Sequence, residues 1–328
     1  MVNSNVNLGG IFNKNQPIHS IRADPVIFEK NFNQRSFKFQ HDLGLNPIFD
    51  TPCVSELARR MMEHNDPHKF SALGFSDADL GSRFSDLARM NRVDDLFGEI
   101  QNGKYWVKLS RCQDFDPDYA ELFEKTTNEI DEYSGGEFAT SITWSTITLF
   151  ISLPNIVTPF HIDHETNFLF QIRGSKDVCL FPSDDRELLP EREIERFYNG
   201  NSEAARYRPD LQPRGTVYRL NEGDAVHHPP LAPHWVRNCD ALSISASLAY
   251  CCRPLEDRAR VYQANFIMRT LALTPTPPGR SGLIDRIKIF AVNLFAMRAP
   301  RTYHEVVFGP LVRMKLPFTY LRRLLRRK

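Results

Sequence analysis

Hydrophobic residues recur along this chain with two periods. From Thr51 onward, Val54, Leu57 and Met61 fall three or four positions apart, the spacing of an apolar helix face. Thr51 can cap that helix and Pro52 suits its first turn. Asp116-Pro117 repeats the signal ahead of Tyr119, Leu122, Phe123 and Ile130, and Gly135-Gly136 ends it. After Gly136 the texture changes. Residues 141–153 read SITWSTITLFISL, dense in β-branched and aromatic side chains that suit strands. Further strand-like runs cover 167–172, 177–181, 216–220, 225–228, 234–238 and 242–250, punctuated by Gly, Pro and Asp. Short strands at this spacing predict a sandwich or barrel, not alternating βαβ units. A helical insertion is expected over 184–198, and helices return beyond Arg253 with a Pro-rich break at 274–279. Residues 1 to about 50, rich in Asn, Phe and Pro, read as an extended arm with short strands. The expected organisation is thus an arm with packing elements over 1–135, a barrel core over 136–253, and a helical segment with a basic tail over 254–328.

Composition narrows the class. The 328 residues are 41% hydrophobic and 25% charged, ordinary for a soluble globular protein. No run of eighteen apolar residues appears, so no spanning helix is expected. Met1–Ile11 is polar and lacks an export pattern. The six cysteines form no CxxC pair, which favours a reducing, cytoplasmic setting; the adjacent Cys251 and Cys252 are read as inert. Charge is unevenly placed. From Arg280 to Lys328 there are twelve Lys and Arg against only Asp285 and Glu305, a surplus of ten. Within an overall net charge of +1, the preceding 279 residues therefore carry −9.

The chemistry concentrates in three stretches. In Thr158-Pro159-Phe160-His161-Ile162-Asp163, a His and an Asp two positions apart on a strand share a face. Imidazole plus carboxylate is a ligand set that suits Fe(II). A third ligand is expected from Gly223–Trp235, where a Pro-rich turn leads into a strand opening with His234. His227 and His228 are its rivals, and Glu165 is a weaker alternative. His164, facing away from Asp163, is expected near the ligands or on the surface. Two His and one carboxylate leave positions open for a co-substrate and O₂. Asn167-Phe168-Leu169-Phe170-Gln171-Ile172-Arg173-Gly174-Ser175-Lys176 follows directly. Lys176 can meet the distal carboxylate of 2-oxoglutarate, and Thr158 and Asn167 can add hydrogen bonds.

Together, Thr158–Lys176 and Gly223–Asn238 resemble the JmjC/cupin-like Fe(II)- and 2-oxoglutarate-dependent oxygenases. HxD alone is weak; HxD followed by N-x-x-x-Q-I-x-G-x-K and then GD…PP…HW is specific. The resemblance covers roughly residues 140–252. It implies a mainly β fold with helical additions, built on a double-stranded β-helix or jelly roll. It implies Fe(II) on His161, Asp163 and His234, with 2-oxoglutarate held by Thr158, Asn167 and Lys176. It implies hydroxylation of a protein or small-molecule substrate. One departure stands out: where asparaginyl hydroxylases of the group carry an Asn late in the last core strand, this chain has Ser247, or in another register Ser245. No basic residue lies between Asn238 and Tyr250, which leaves Lys176 as the expected carboxylate partner.

Other readings are a non-catalytic cupin-like binding or regulatory module, and a Zn or Mn cupin, which would more often show HxH and a Glu. Trp144, Phe150, Phe168, Phe170 and Phe181 are read as barrel core. For the tail, Ile287, Phe290, Ala291, Leu294 and Phe295 have helical spacing, and residues 322–328 read RRLLRRK. A structural role is preferred, packing on the barrel or forming a homodimer. The rival is contact with anionic lipid or an acidic partner. No base-reading motif accompanies the charge, so nucleic acid is not expected.

Overall fold

The computed structural model describes residues 18–64, 70–74, 80, 82, 88–90, 105–201, 204–297 and 302–325. The polar stretch Met1–Ile11 lies outside them. The described strands form two antiparallel sheets. The larger has the order β1 (Phe37–Gln40), β10 (Asp224–His228), β7 (Thr166–Arg173), β12 (Ser243–Cys252), β5 (Ile142–Ser152), β4 (Tyr105–Ser110), β2 (Phe70–Gly74) and β3 (Ala88–Met90). The smaller has the order β6 (Val157–His161), β11 (His234–Asn238), β8 (Lys176–Leu180) and β9 (Thr216–Leu220). The alternation of successive strands between the two sheets is a jelly roll, as the sequence resemblance implies.

Period-two patterning places the site. Along β7, Phe168, Phe170 and Ile172 join the core outside the larger sheet, while Leu169 joins the core inside the barrel with Val178, Leu180, Leu220 and Val226. Asn167 shares the inward face with Leu169, so it lies near one mouth of the barrel. The outer core is covered by α1 (Pro25–Asn31), α2 (Thr51–Glu63) and α3 (Pro117–Tyr133) through Phe28, Leu57, Met61, Leu122 and Ile130. A short helix α4 (Phe138–Ser141) leads into β5. The smaller sheet is backed by α5 (Glu191–Tyr198), α6 (Arg253–Thr270) and α8 (Tyr303–Leu325), with Phe181, Ile194, Tyr198, Tyr262 and Val307 between them. Helix α7 (Gly282–Asn293) packs on α6.

The expected extended arm needs correction. Pro25–Asn31 is a helix: the Asp24 carboxylate accepts from the amides of Val26 and Ile27, Pro25 opens the first turn, and Phe28 is fully buried. This is the same acid-then-proline start that marks α3, where Asp116 accepts from Asp118 N. At α2 the N-cap is Asp50, with Thr51 already in the helix. The insertion expected at 184–198 is helical only from Glu191.

Candidate metal and co-substrate site

The tight turn between β7 and β8 sets the position of Lys176. Gly174 there has φ +71°, and a Cβ on it would lie 2.3 Å from the carbonyl oxygen of Leu242. Only glycine fits so close a backbone approach in the left-handed region. Across the smaller sheet, His234 of β11 stands directly opposite His161 of β6. Antiparallel pairing thus joins residues far apart in sequence, and their rings lie 4.1 Å apart between centroids. β6 ends at His161, so Asp163 sits just past the strand, not on its face as the alternation argument has it. The chain still returns it: Asp163 Oδ2 is 3.7 Å from Nε2 of both His161 and His234.

The imidazoles are oriented from behind. His161 Nδ1–H donates to Pro159 O at 2.7 Å and His234 Nδ1–H donates to Ala232 O at 3.0 Å. Both Nε2 lone pairs therefore face the Asp163 carboxylate. One ligand atom from each residue falls within a mutual 4.8 Å. Burial holds His234 down to about 4, aided by His161 and opposed by Asp163, so its imidazole is neutral at pH 7. Burial works to raise the Asp163 carboxyl, but His161, His234, Lys108 and His164 hold it below the ordinary carboxylate value. Two imidazoles and a carboxylate converging in this way fit a divalent cation, and donors of this kind are oriented by just such backbone carbonyls.

His161 and Asp163 line a cavity of 570 Å³ whose walls also include Thr158, Asn167, Leu169, Lys176, His228, Asn238 and Ser247. Lys176 is 3% exposed, and among the described residues no carboxylate pairs with it. Burial lowers its ammonium to about 7. An isolated buried cation is costly, and an anion entering the cavity would relieve it. Ser247 Oγ donates to Asn167 Oδ1 at 3.0 Å, leaving the Asn167 amide hydrogens free to donate elsewhere. Ser245 is instead used on Gln171 Oε1 at 2.7 Å, which resolves the two registers in favour of Ser247 as the lining residue.

The sequence matches the cupin-like domain family over residues 23–250. The chain belongs to that family. No curated protein matches this cupin-like chain by sequence. Among solved structures, Escherichia coli ycfD superposes with a TM-score of 0.52 at 13% identity, over 92% of this chain and 68% of that one. A second crystal structure, described as the E. coli ribosomal oxygenase YcfD, gives 0.50 at 12% identity, over 87% and 70%. At such identities the likeness is one of fold.

In this cupin-like domain the rival histidines separate cleanly. His227 is tied down on the outer side of the sheet: its Nε2 accepts from Asn33 N and its Nδ1–H donates to Asn167 O, between Phe32, Phe37 and Phe168. His228 faces inward, 4.9 Å from the His234 ring. Both its ring nitrogens are buried and find no hydrogen-bond partner among the described residues. His164 is buried, with Nδ1 hydrogen-bonded to Tyr198 OH at 2.7 Å, so a surface position is ruled out. Glu165 lies against Tyr303, its carboxyl pushed up to about 8 by burial and by Asp163. Of the aromatics read as core, Phe168, Phe170 and Phe181 are buried, whereas Phe150 lines the cavity and stacks on Trp106 at 5.1 Å. Contributors to the lining that sequence reading missed include Trp106 and Lys108 of β4, and Tyr303, His304 and Phe308 of α8. Strand alternation could have paired Trp106 with Lys108; nothing local to residues 303–308 points to the barrel.

Proposed function

We propose that this chain is an Fe(II)- and 2-oxoglutarate-dependent dioxygenase that hydroxylates a protein or small-molecule substrate. One observation carries the reading: two of three converging ligand residues, His161 and Asp163, line a cavity with a buried lysine that has no carboxylate partner among the described residues. His161, Asp163 and His234 would hold the metal. When bound, Fe(II) supplies the redox chemistry that couples oxidative decarboxylation of 2-oxoglutarate by O₂ to oxygen insertion into the substrate. The protein's own part is binding, orientation and exclusion of water. Pro159 O and Ala232 O fix the tautomers that present Nε2. Lys176 offers its ammonium to the distal carboxylate of the keto acid, a charge-assisted contact in a dry site. Thr158 and the Asn167–Ser247 pair line the same space and supply hydrogen bonds. Trp106, Phe150, Leu169 and Phe308 give the remaining walls an apolar character that keeps water from the reacting atoms.

Anaerobic titration of metal-stripped protein with Fe(II) and 2-oxoglutarate tests this. The chelated keto acid is expected to give a visible charge-transfer band, lost in His234→Ala and weakened in Lys176→Met. Succinate release under O₂ then becomes the screen for substrates. A folded wild-type protein without the band would overturn the oxygenase reading and leave a binding module.

A further inference from the structure

Helix α7 is attached by its narrower side. Lys288 and Val292 are buried at 5% and 1% exposure, and Lys288 Nζ donates to Thr276 O at 2.6 Å. The apolar side faces outward. Leu283, Ile287, Phe290 and Leu294 are 72%, 60%, 68% and 68% exposed. At spacings of four, three and four they form one stripe, roughly 16 Å long at the helical rise. A surface helix of a globular domain ordinarily does the reverse, and a contiguous patch of large aliphatic and aromatic side chains marks an interaction site.

Charge says what covers it. Arg280 and Arg286 are exposed beside the stripe. The one acid of α7, Asp285, is turned back onto the preceding loop, where it accepts from Gly279 N at 2.7 Å. At the far end, Arg313 of α8 donates to Ala296 O at 2.8 Å, which brings the exposed Val312–Arg313 edge alongside the end of α7. From there the sequence runs to Lys328 with seven Lys and Arg and no acid. Two copies packed stripe to stripe would bring two such sets of exposed arginines, Arg280, Arg286 and Arg313, together. An anionic bilayer complements both features: its interface takes bulky apolar side chains, and its headgroups attract the basic rim. No described helix is long and apolar enough to cross a membrane, so the contact is peripheral. We propose that the α7 stripe, flanked by the exposed Arg280, Arg286 and Arg313, forms a docking surface for an anionic lipid bilayer, with α7 lying in the plane of the interface.

The test is co-sedimentation of the full chain with phosphatidylcholine–phosphatidylglycerol vesicles and with phosphatidylcholine vesicles alone. Binding is expected to the anionic vesicles and to weaken with salt. The paired change Ile287→Asp and Phe290→Asp, both at exposed positions, should cut the affinity at least tenfold, about the worth of burying one apolar side chain. Phe290→Trp should report insertion directly, by a blue shift of its emission on anionic vesicles. Absence of binding by the folded wild type, or binding untouched by the paired change, would overturn the proposal. So would a dimer in sedimentation equilibrium that the paired change dissociates, which would assign the stripe to a second copy of the chain.

Discussion

Lys176→Met is the most informative single change, because it separates stability from binding. The lysine is 3% exposed and its ammonium falls from the ordinary 10.5 to about 7 through burial. In the native state that displacement represents a penalty of up to about 5 kcal/mol against the charged form. The sign follows from proton counting. Between about pH 7 and pH 10.5 the unfolded chain keeps this proton and the folded chain releases it, so stability rises with pH across that window. Below about pH 7 the full penalty is present. Methionine keeps most of the aliphatic bulk and removes the charge. At about pH 6 the metal-free variant should therefore be more stable than wild type by ~2 kcal/mol or more, a rise in Tm of roughly 4 °C. Near pH 10 the two should nearly converge. The same variant should bind 2-oxoglutarate worse by about 10- to 100-fold, the loss of one charge-assisted hydrogen bond. Thermal melts across pH check the first expectation and calorimetric titration of the Fe(II)-loaded protein checks the second. A variant less stable than wild type at about pH 6 would refute the argument, since it would mean that Lys176 already has a compensating partner.

Other expectations follow from single contacts. His234→Ala removes one of three ligand atoms and should weaken Co(II) or Fe(II) binding by more than about 100-fold in a metal titration, with circular dichroism unchanged. Ser247→Ala frees Asn167 Oδ1 from its 3.0 Å hydrogen bond and should raise the 2-oxoglutarate Kd about fivefold, the equivalent of ~1 kcal/mol. Gly174→Ala places a Cβ 2.3 Å from Leu242 O at φ +71°; urea denaturation should show a loss of about 2–4 kcal/mol. Arg260 donates to the carbonyl oxygens of Val306 and Val307 and to Gln263 Oε1. Arg260→Met should cost about 3 kcal/mol, with limited proteolysis showing α8 released first.

What the sequence disclosed and what it hid divide along one physical line. His161, Lys176 and Ser247 sit on strands whose alternation and turn residues can be read locally, and Asp163 lies two residues past His161, just beyond the end of its strand. The pairing of His234 with His161 needed only the expectation that two strands of a barrel meet. Helix α1 was equally legible in principle, since Asp24-Pro25 carries the start signal used correctly at Asp116-Pro117; the Asn-rich surroundings hid it. His228 could be told from His227 only by knowing which side of β10 faces the barrel, because every residue of that strand is buried and neither face reads as polar. Lys108 and Tyr303 could not be placed at all. They reach the cavity through contacts between segments nearly two hundred residues apart, and no local pattern encodes such a distance. The outward stripe of α7 was visible as helical spacing, but spacing alone does not say which way a face points.

The family match ends at residue 250, yet Tyr303, His304 and Phe308 help to line the cavity. A fragment trimmed to the matching region would keep His161, Asp163 and His234 and discard one wall of the chamber. Under the proposed function such a fragment would be a misleading reagent: it would keep the residues proposed to hold iron, yet stand open to solvent on one side and be prone to consume 2-oxoglutarate without a productive guest. The C-terminal helix is thus part of the chamber's wall, and an affinity tag or truncation placed there is a change to the chamber's shape.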